Sequence, residues 1–181
     1  MNFKETKLKG AFIVEVEKIN DDRGFFGRVW CQKEMESRGL NGVVRQCNTS
    51  LSLEKGTVRG MHYQISPYQE SKFLSCTHGR VFDVIIDLRL DSPTFMQWFG
   101  TILDEYDNKM MYVPEKFAHG VVSLKDNSQI TYMVSEFYTP GSERGIRYND
   151  PAFNIEWPVE IGVVSEKDIC HPDFDLENFD H

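Results

Sequence analysis

Period-two alternation, repeated along the chain and broken by turn clusters, constrains this sequence more than any other feature. In VFDVIIDLR (81–89), Phe82, Val84, Ile86 and Leu88 share one apolar face, and Asp83, Asp87 and Arg89 share the other. GVVRQCNTS (42–50) sets Val44, Gln46, Asn48 and Ser50 against Val43, Arg45, Cys47 and Thr49, and QITYMVS (129–135) groups Ile130, Tyr132 and Val134. Turn clusters separate such runs: Asn20-Asp21-Asp22, Asp91-Ser92-Pro93, Lys125-Asp126-Asn127 and Pro140-Gly141-Ser142. One short helix is predicted, from Gln32 to about Arg38, stopped by Gly39. The tail after Trp157-Pro158 reads as irregular but carries a compact polar cluster, Ser165-Glu166-Lys167-Asp168. Short strands with frequent turns predict an all-β antiparallel sandwich or barrel.

The 181 residues suit one domain spanning 1–181, and 40% hydrophobic content supplies a core. A formal net charge of −8 argues against nonspecific binding to nucleic acid or anionic membrane, while local basic residues can still hold a small anion. No apolar run approaches the ~20 residues of a membrane span. The N-terminal MNFKETKLKG lacks a signal-peptide core, so a cytoplasmic location is expected. Cys31, Cys47, Cys76 and Cys170 are too widely spaced for a zinc or disulfide framework and are expected to be reduced and mostly buried.

GTVRGMHYQ (56–64) is the stretch richest in chemistry. Simple alternation sends Arg59 and His62 to opposite faces. A bulge at Gly60 would turn them the same way and set a fixed cation beside a titratable base. Gln46, Asn48, His62, Lys72, Asp83, His119 and Tyr132 are each polar where alternation would allow an apolar residue. Buried polar groups are costly unless paired, so seven of them on several strands suggest a polar pocket inside a barrel. A second marker, YVPEKFAHGVVSL (112–124), delivers His119 into a strand and is similar to a metal-binding segment of cupin barrels. The other cupin segment normally holds His-x-His, but here it reads His62-Tyr63-Gln64, which leaves at most a loose His62/Glu70/His119 set. Asp22-Arg23-Gly24-Phe25-Phe26 reads as a turn with a phosphate-binding arginine and a stacking ring, or as a surface turn with core aromatics.

Together these segments resemble the dTDP-4-dehydrorhamnose 3,5-epimerase family of sugar-nucleotide epimerases. The likeness runs through Asp22–Phe26, Gln46-Cys47-Asn48, VRGMHYQ (58–64), Lys72, GRVFDVIIDLR (79–89), Asp91–Thr94, YVPEKFAHG (112–120), Tyr132, FYTPGSERGIRYNDPAFNIEWP (137–158) and SEKD (165–168). It implies a cupin-like jelly-roll barrel, a homodimer, a nucleotide-diphosphate sugar substrate, and no cofactor or metal. The implied reaction inverts C-3, C-5 or both in a 4-keto-6-deoxy sugar through an enolate.

The resemblance implies His62 as base, Asp168 as its orienting carboxylate, Lys72 as the enolate-stabilising cation and Tyr132 as the acid on the opposite face. It also implies contacts to substrate or diphosphate from Arg23, Arg59, His119 and Lys167, further binding positions at Gln46, Asn48 and Glu143, and a thymine-stacking ring at Tyr138. Phe26, Arg28 and Asp83 complete the expected binding set. Arg28 stands where the family commonly has glutamate, Cys47 replaces an aspartate, and Ser71-Lys72 replaces Gly-Lys. These departures touch nucleotide contacts and leave the catalytic groups intact. The competing classes are a metal-dependent cupin oxygenase or isomerase and a noncatalytic sugar-nucleotide binder. Binding alone requires no paired acid and base.

Overall fold

A computed structural model describes residues 1–179; the last two positions of the expected 1–181 domain lie outside the described residues. The strands are β1 (Asn2–Glu5), β2 (Phe12–Glu15), β3 (Lys18–Asp21), β4 (Gly24–Gly27), β5 (Gln46–Ser52), β6 (Val58–Gln64), β7 (Lys72–His78), β8 (Arg80–Asp87), β9 (Trp98–Asp104), β10 (Lys109–Val113), β11 (Phe117–Ser123), β12 (Ser128–Val134) and β13 (Glu143–Gly145). The helices are α1 (Gln32–Glu36) and α2 (Glu166–Ile169), followed by a 3₁₀ turn at Leu176–Asn178. One six-stranded sheet runs β1-β2-β10-β7-β12-β5 and faces a five-stranded sheet, β13-β6-β11-β8-β9. The β3–β4 hairpin stands apart. The result is the expected all-β jelly roll.

The barrel interior changes from apolar to polar along its strands. On β7 the inward positions are Lys72, Leu74 and Cys76; on β12 they are Val134, Tyr132 and Ile130. Leu74, Cys76 and Ile130 join Val81, Ile85, Phe117 and Val121 in the closed apolar end. Lys72, Tyr132 and Val134 line a cavity at the other end. The strand pairing keeps these layers level, because Tyr132 pairs with Leu74 on one side and Asn48 on the other.

The apolar face of 81–89 packs outward. Val84, Ile86 and Leu88 are buried beneath Trp157, Phe174 and Phe179 of the tail, with Phe82 edge-on to Trp157. Asp83 and Asp87 therefore share the inward face with Val81 and Ile85. Burial alone would raise the Asp87 carboxyl, but hydrogen bonds from Arg89, Ser92 and Thr94 outweigh it and hold it below the usual carboxylate range. α1 covers the outer side of the six-stranded sheet through the buried Met35.

Four local expectations change. Strand β5 begins at Gln46 rather than at 42, because Asn41 and Val43 hydrogen-bond in a local turn against Tyr112 Oη and the Asn41 side chain. α1 ends at Glu36, with Gly39 at φ +71° closing the turn. The SEKD cluster is helical rather than irregular, capped by Ser165. Only Cys76 is buried, while Cys31 is half-buried and Cys47 and Cys170 are exposed, because Cys47 lies on the outward face of β5 and Cys170 just beyond α2.

Candidate active site

Strand β6 supplies the centre of the cavity through an irregularity at Gly60. His62 pairs with His119, yet Arg59 pairs with Val121, so three steps on β6 oppose two on β11. This is the expected bulge. Gly60 has φ +114°, and a Cβ there would lie 2.6 Å from both Gly120 Cα and the His119 carbonyl oxygen. Only glycine fits. The extra residue brings Arg59 and His62 to one face, and both line the interior beside His119.

The tail then returns to the same strand. Val164 bridges Val58 in parallel, and the Val58 N–H donates to the Val163 carbonyl at 2.8 Å. Ser165 Oγ accepts the Asp168 N–H at 3.1 Å, which fixes α2 and turns Asp168 inward. Asp168 is buried, with Oδ1 2.6 Å from His62 Nε2 and Oδ2 3.4 Å from the Gly60 N–H. Burial pushes the Asp168 carboxyl up, but the His62 bond and charge, with the Gly60 and Ser165 bonds, hold it below its ordinary value. An ionised carboxylate only accepts hydrogen bonds. When neutral, the His62 ring therefore carries its proton on Nε2 and its lone pair on Nδ1. Nδ1 sits 3.9 Å from Glu143 Oε1.

The six-stranded sheet supplies the opposite wall. Two connected lobes of about 120 and 240 Å³ share His62, Lys72 and Tyr132. The Lys72 ammonium is buried, donates to the His62 carbonyl at 3.2 Å and lies 3.2 Å from Glu70 Oε1. Two of its three N–H bonds are thus engaged, and the third has no partner among the described residues. Burial raises the Tyr132 hydroxyl above the ordinary tyrosine value, with Glu70 adding to it, so Tyr132 stays protonated at neutral pH. Gln46 and Asn48 extend the same wall. The arrangement can remove a proton on one side of a bound carbon, stabilise an oxyanion, and deliver a proton from the other side.

Comparison with known proteins agrees with this geometry. Residues 5–175 match the family profile described as dTDP-4-dehydrorhamnose 3,5-epimerase. The chain belongs to that family. It is 41% identical over 170 residues to the dTDP-4-dehydrorhamnose 3,5-epimerase of Shigella flexneri, covering 93% of each chain. Its backbone is similar to the crystal structure of the dTDP-4-dehydrorhamnose 3,5-epimerase from Elizabethkingia anophelis, with TM-score 0.95, 36% identity and 99% of each chain covered. A Bacillus anthracis dTDP-4-dehydrorhamnose 3,5-epimerase, solved with TDP and pyrophosphate bound, gives TM-score 0.90 and 38% identity, covering 96% of this chain and 99% of that one. The chain is therefore an isomerase of the epimerase type.

The epimerase cavity gathers most of the residues expected from sequence. Arg59 lines the larger lobe and is held by the Ser52 hydroxyl and the Leu51 carbonyl. Glu143 lines the smaller lobe and is paired with Lys167, whose ammonium its hydrogen bond holds above the ordinary lysine value. Tyr138 stands exposed at the rim, where its backbone N–H donates to Gln46 Oε1 at 2.6 Å.

Four expected binding residues lie elsewhere. Asp83 is fully buried behind His119, with Oδ2 2.8 Å from His119 Nε2; it holds that ring and does not line the cavity. Arg23, Phe26 and Arg28 sit on or beside the β3–β4 hairpin, outside both lobes. Arg23 pairs with Asp21 and Arg28 with Glu34. The aromatics of this turn are not core, since Phe26 is 68% exposed. The His62/Glu70/His119 set does not assemble, because Glu70 contacts Lys72 and Gln64 while His119 is bound to Asp83.

Two residues escaped the sequence reading. Gln64 is a buried hub: its Oε1 accepts from the Thr139 N–H and Ser142 Oγ, and its Nε2 donates to the Tyr68 and Phe137 carbonyls. Its position two residues after His62 was a usable signal. His171 lies beside His62, with ring centroids 6.4 Å apart. Nothing in a lone histidine beyond the last strand announced this.

Proposed function

We propose that this isomerase inverts C-3 and C-5 of a nucleotide-linked 4-keto-6-deoxy sugar, dTDP-4-keto-6-deoxyglucose being the leading substrate. The observation that carries the reading is the 2.6 Å contact between His62 Nε2 and Asp168 Oδ1 inside a cavity whose facing wall presents Tyr132 and Lys72.

The C-4 ketone acidifies the hydrogens on both neighbouring carbons. His62 Nδ1 takes one of them, and Asp168 stabilises the imidazolium that forms. The C–H electron pair moves into a carbon–carbon double bond as the carbonyl pair moves onto oxygen. Lys72, with one N–H unengaged among the described residues, stabilises that oxyanion. Tyr132, on the opposing sheet, gives its proton to the carbon from the other face and so inverts it. His62 is then protonated and Tyr132 ionised. His62 then releases its proton to solvent, and because burial raises the Tyr132 hydroxyl, the phenolate readily regains one from solvent, which resets both groups.

Arg59, His119, Lys167, Gln46, Asn48 and Glu143 surround the sugar and diphosphate, and the exposed Tyr138 ring offers a stacking face for thymine. The enzyme acts as a homodimer in the cytoplasm, where its four free cysteines stay reduced. The hairpin supports the dimer. Ile19, Phe25 and Phe26 on the hairpin and Val29 just after it are each exposed, and the Arg23 side chain at its turn is 89% exposed. A second copy would cover these residues and receive Arg23 at its own cavity.

Proton NMR with dTDP-4-keto-6-deoxyglucose in deuterated water tests the reaction. Exchange and inversion at both carbons are expected. Inversion at one carbon alone would restrict the enzyme to a single centre, and exchange at neither would overturn the reading.

A further inference from the structure

We propose that His62, Asp168 and His171 form a binding site for a borderline divalent transition metal, zinc being the type ion, and that its occupation switches the enzyme off. One ligand atom from each of the three residues lies within 4.8 Å of the other two. Two imidazoles and a carboxylate form the donor set of open zinc sites, which leave a fourth position for water. Donors around a tetrahedral zinc at bonding distance lie about 3.3 Å apart. Small side-chain rotations therefore bring the set into range.

His171 is the unusual member. Its Nε2 is buried and has no hydrogen-bond partner among the described residues. A buried nitrogen is seldom left so. The ring is accommodated by Gly145, which pairs with His62 across β13 and β6; a Cβ at 145 would lie 2.0 Å from His171 Nε2. Glu143 and Lys167 are the other charged groups at this ring, and they are paired with each other.

Occupation removes the base by either route. A neutral imidazole with metal on Nε2 carries its proton on Nδ1, which then has no lone pair. Metal on Nδ1 takes that lone pair directly. The inhibitory half of the proposal rests on His62 being the base; the binding half does not.

Zinc titration by calorimetry and cobalt titration by visible absorption, on the full chain and its variants, test the binding. Epimerisation is followed in parallel with rising zinc and then chelator. One metal per wild-type chain is expected, with inhibition tracking occupancy and full recovery on chelation. His171→Ala should keep basal epimerisation and bind zinc at least ~10-fold more weakly, with the inhibition curve displaced equally. His171→Gln, which retains bulk, should behave alike and guards against a folding defect in the alanine variant. Wild-type affinity in either folded variant, or no stoichiometric binding to the wild type, would overturn the site. Stoichiometric binding without inhibition would overturn the switch. If His62→Asn both stays active and loses zinc binding, the catalytic assignment fails while the metal site stands.

Discussion

His62 Nε2 and Asp168 Oδ1 meet at 2.6 Å across 106 residues of sequence. Two devices make that meeting possible. The Gly60 bulge turns the imidazole inward, and the Ser165-capped helix α2 delivers the carboxylate. Neither is part of the barrel's regular alternation, and each can be removed by one substitution.

Asp168→Asn should lower turnover by about 10²-fold or more while leaving substrate affinity nearly unchanged, since the amide cannot stabilise the imidazolium. It should also change the pH dependence of stability. The Asp168 carboxyl is held below its unfolded value, so its contribution is complete above about pH 5 and fades as the pH falls through the folded value. The stability gap between wild type and variant should narrow in acid. Denaturant melts at pH 7 and pH 3 measure it, and a gap that does not change would mean the carboxylate is not held this way.

Gly60→Ala should cost about 1–3 kcal/mol, because residue 60 needs φ +114° and its new Cβ would meet backbone on β11. The variant should lose activity out of proportion to stability, since the atoms it pushes belong to His119 and Gly120. A folded Gly60→Ala enzyme with normal turnover would show that the bulge does not position His62.

The hairpin assignment is open to complementation. Arg23→Ala should leave stability nearly unchanged, as its pair with Asp21 is exposed, yet should raise KM markedly. Mixing Arg23→Ala chains with inactive His62→Asn chains should restore activity, because each mixed dimer holds one site with both residues intact. Mixtures no more active than Arg23→Ala alone would mean that Arg23 serves no partner cavity.

Alternation carried the antiparallel all-β class and most of the cavity for one physical reason, while the jelly roll followed from the family resemblance. Polar residues such as Gln46, Asn48, Lys72 and Tyr132 interrupt strands at inward positions, and the two-residue period preserves their direction. Arg59 and His62 break that period, and Gly60 between them was the visible sign of the bulge. Asp83 was misplaced because alternation reports which side a residue faces and not how deep it lies; His119 stands between it and the cavity. The face of Phe82, Val84 and Ile86 was read correctly as apolar, yet its cover comes from Trp157, Phe174 and Phe179 in a tail without periodicity. His171 enters by the same route, and its place was settled by tertiary packing alone.

The alkaline limit of inversion should be set by Tyr132. Its hydroxyl is held above the ordinary tyrosine value, so inversion should persist to at least about pH 10 before the acid form is lost. A decline well below that, absent from the exchange rate, would point to another acid.

The opposed placement of His62 and Tyr132 on two facing sheets is tested most directly by Tyr132→Phe in deuterated water, with exchange and inversion read from one NMR sample. The variant keeps the ring and removes one oxygen. His62 can still take a proton and return deuterium to the same face. Exchange should therefore persist while inversion falls by about 10²-fold or more. Unchanged inversion, or equal loss of exchange and inversion, would contradict a two-sided proton transfer between these residues.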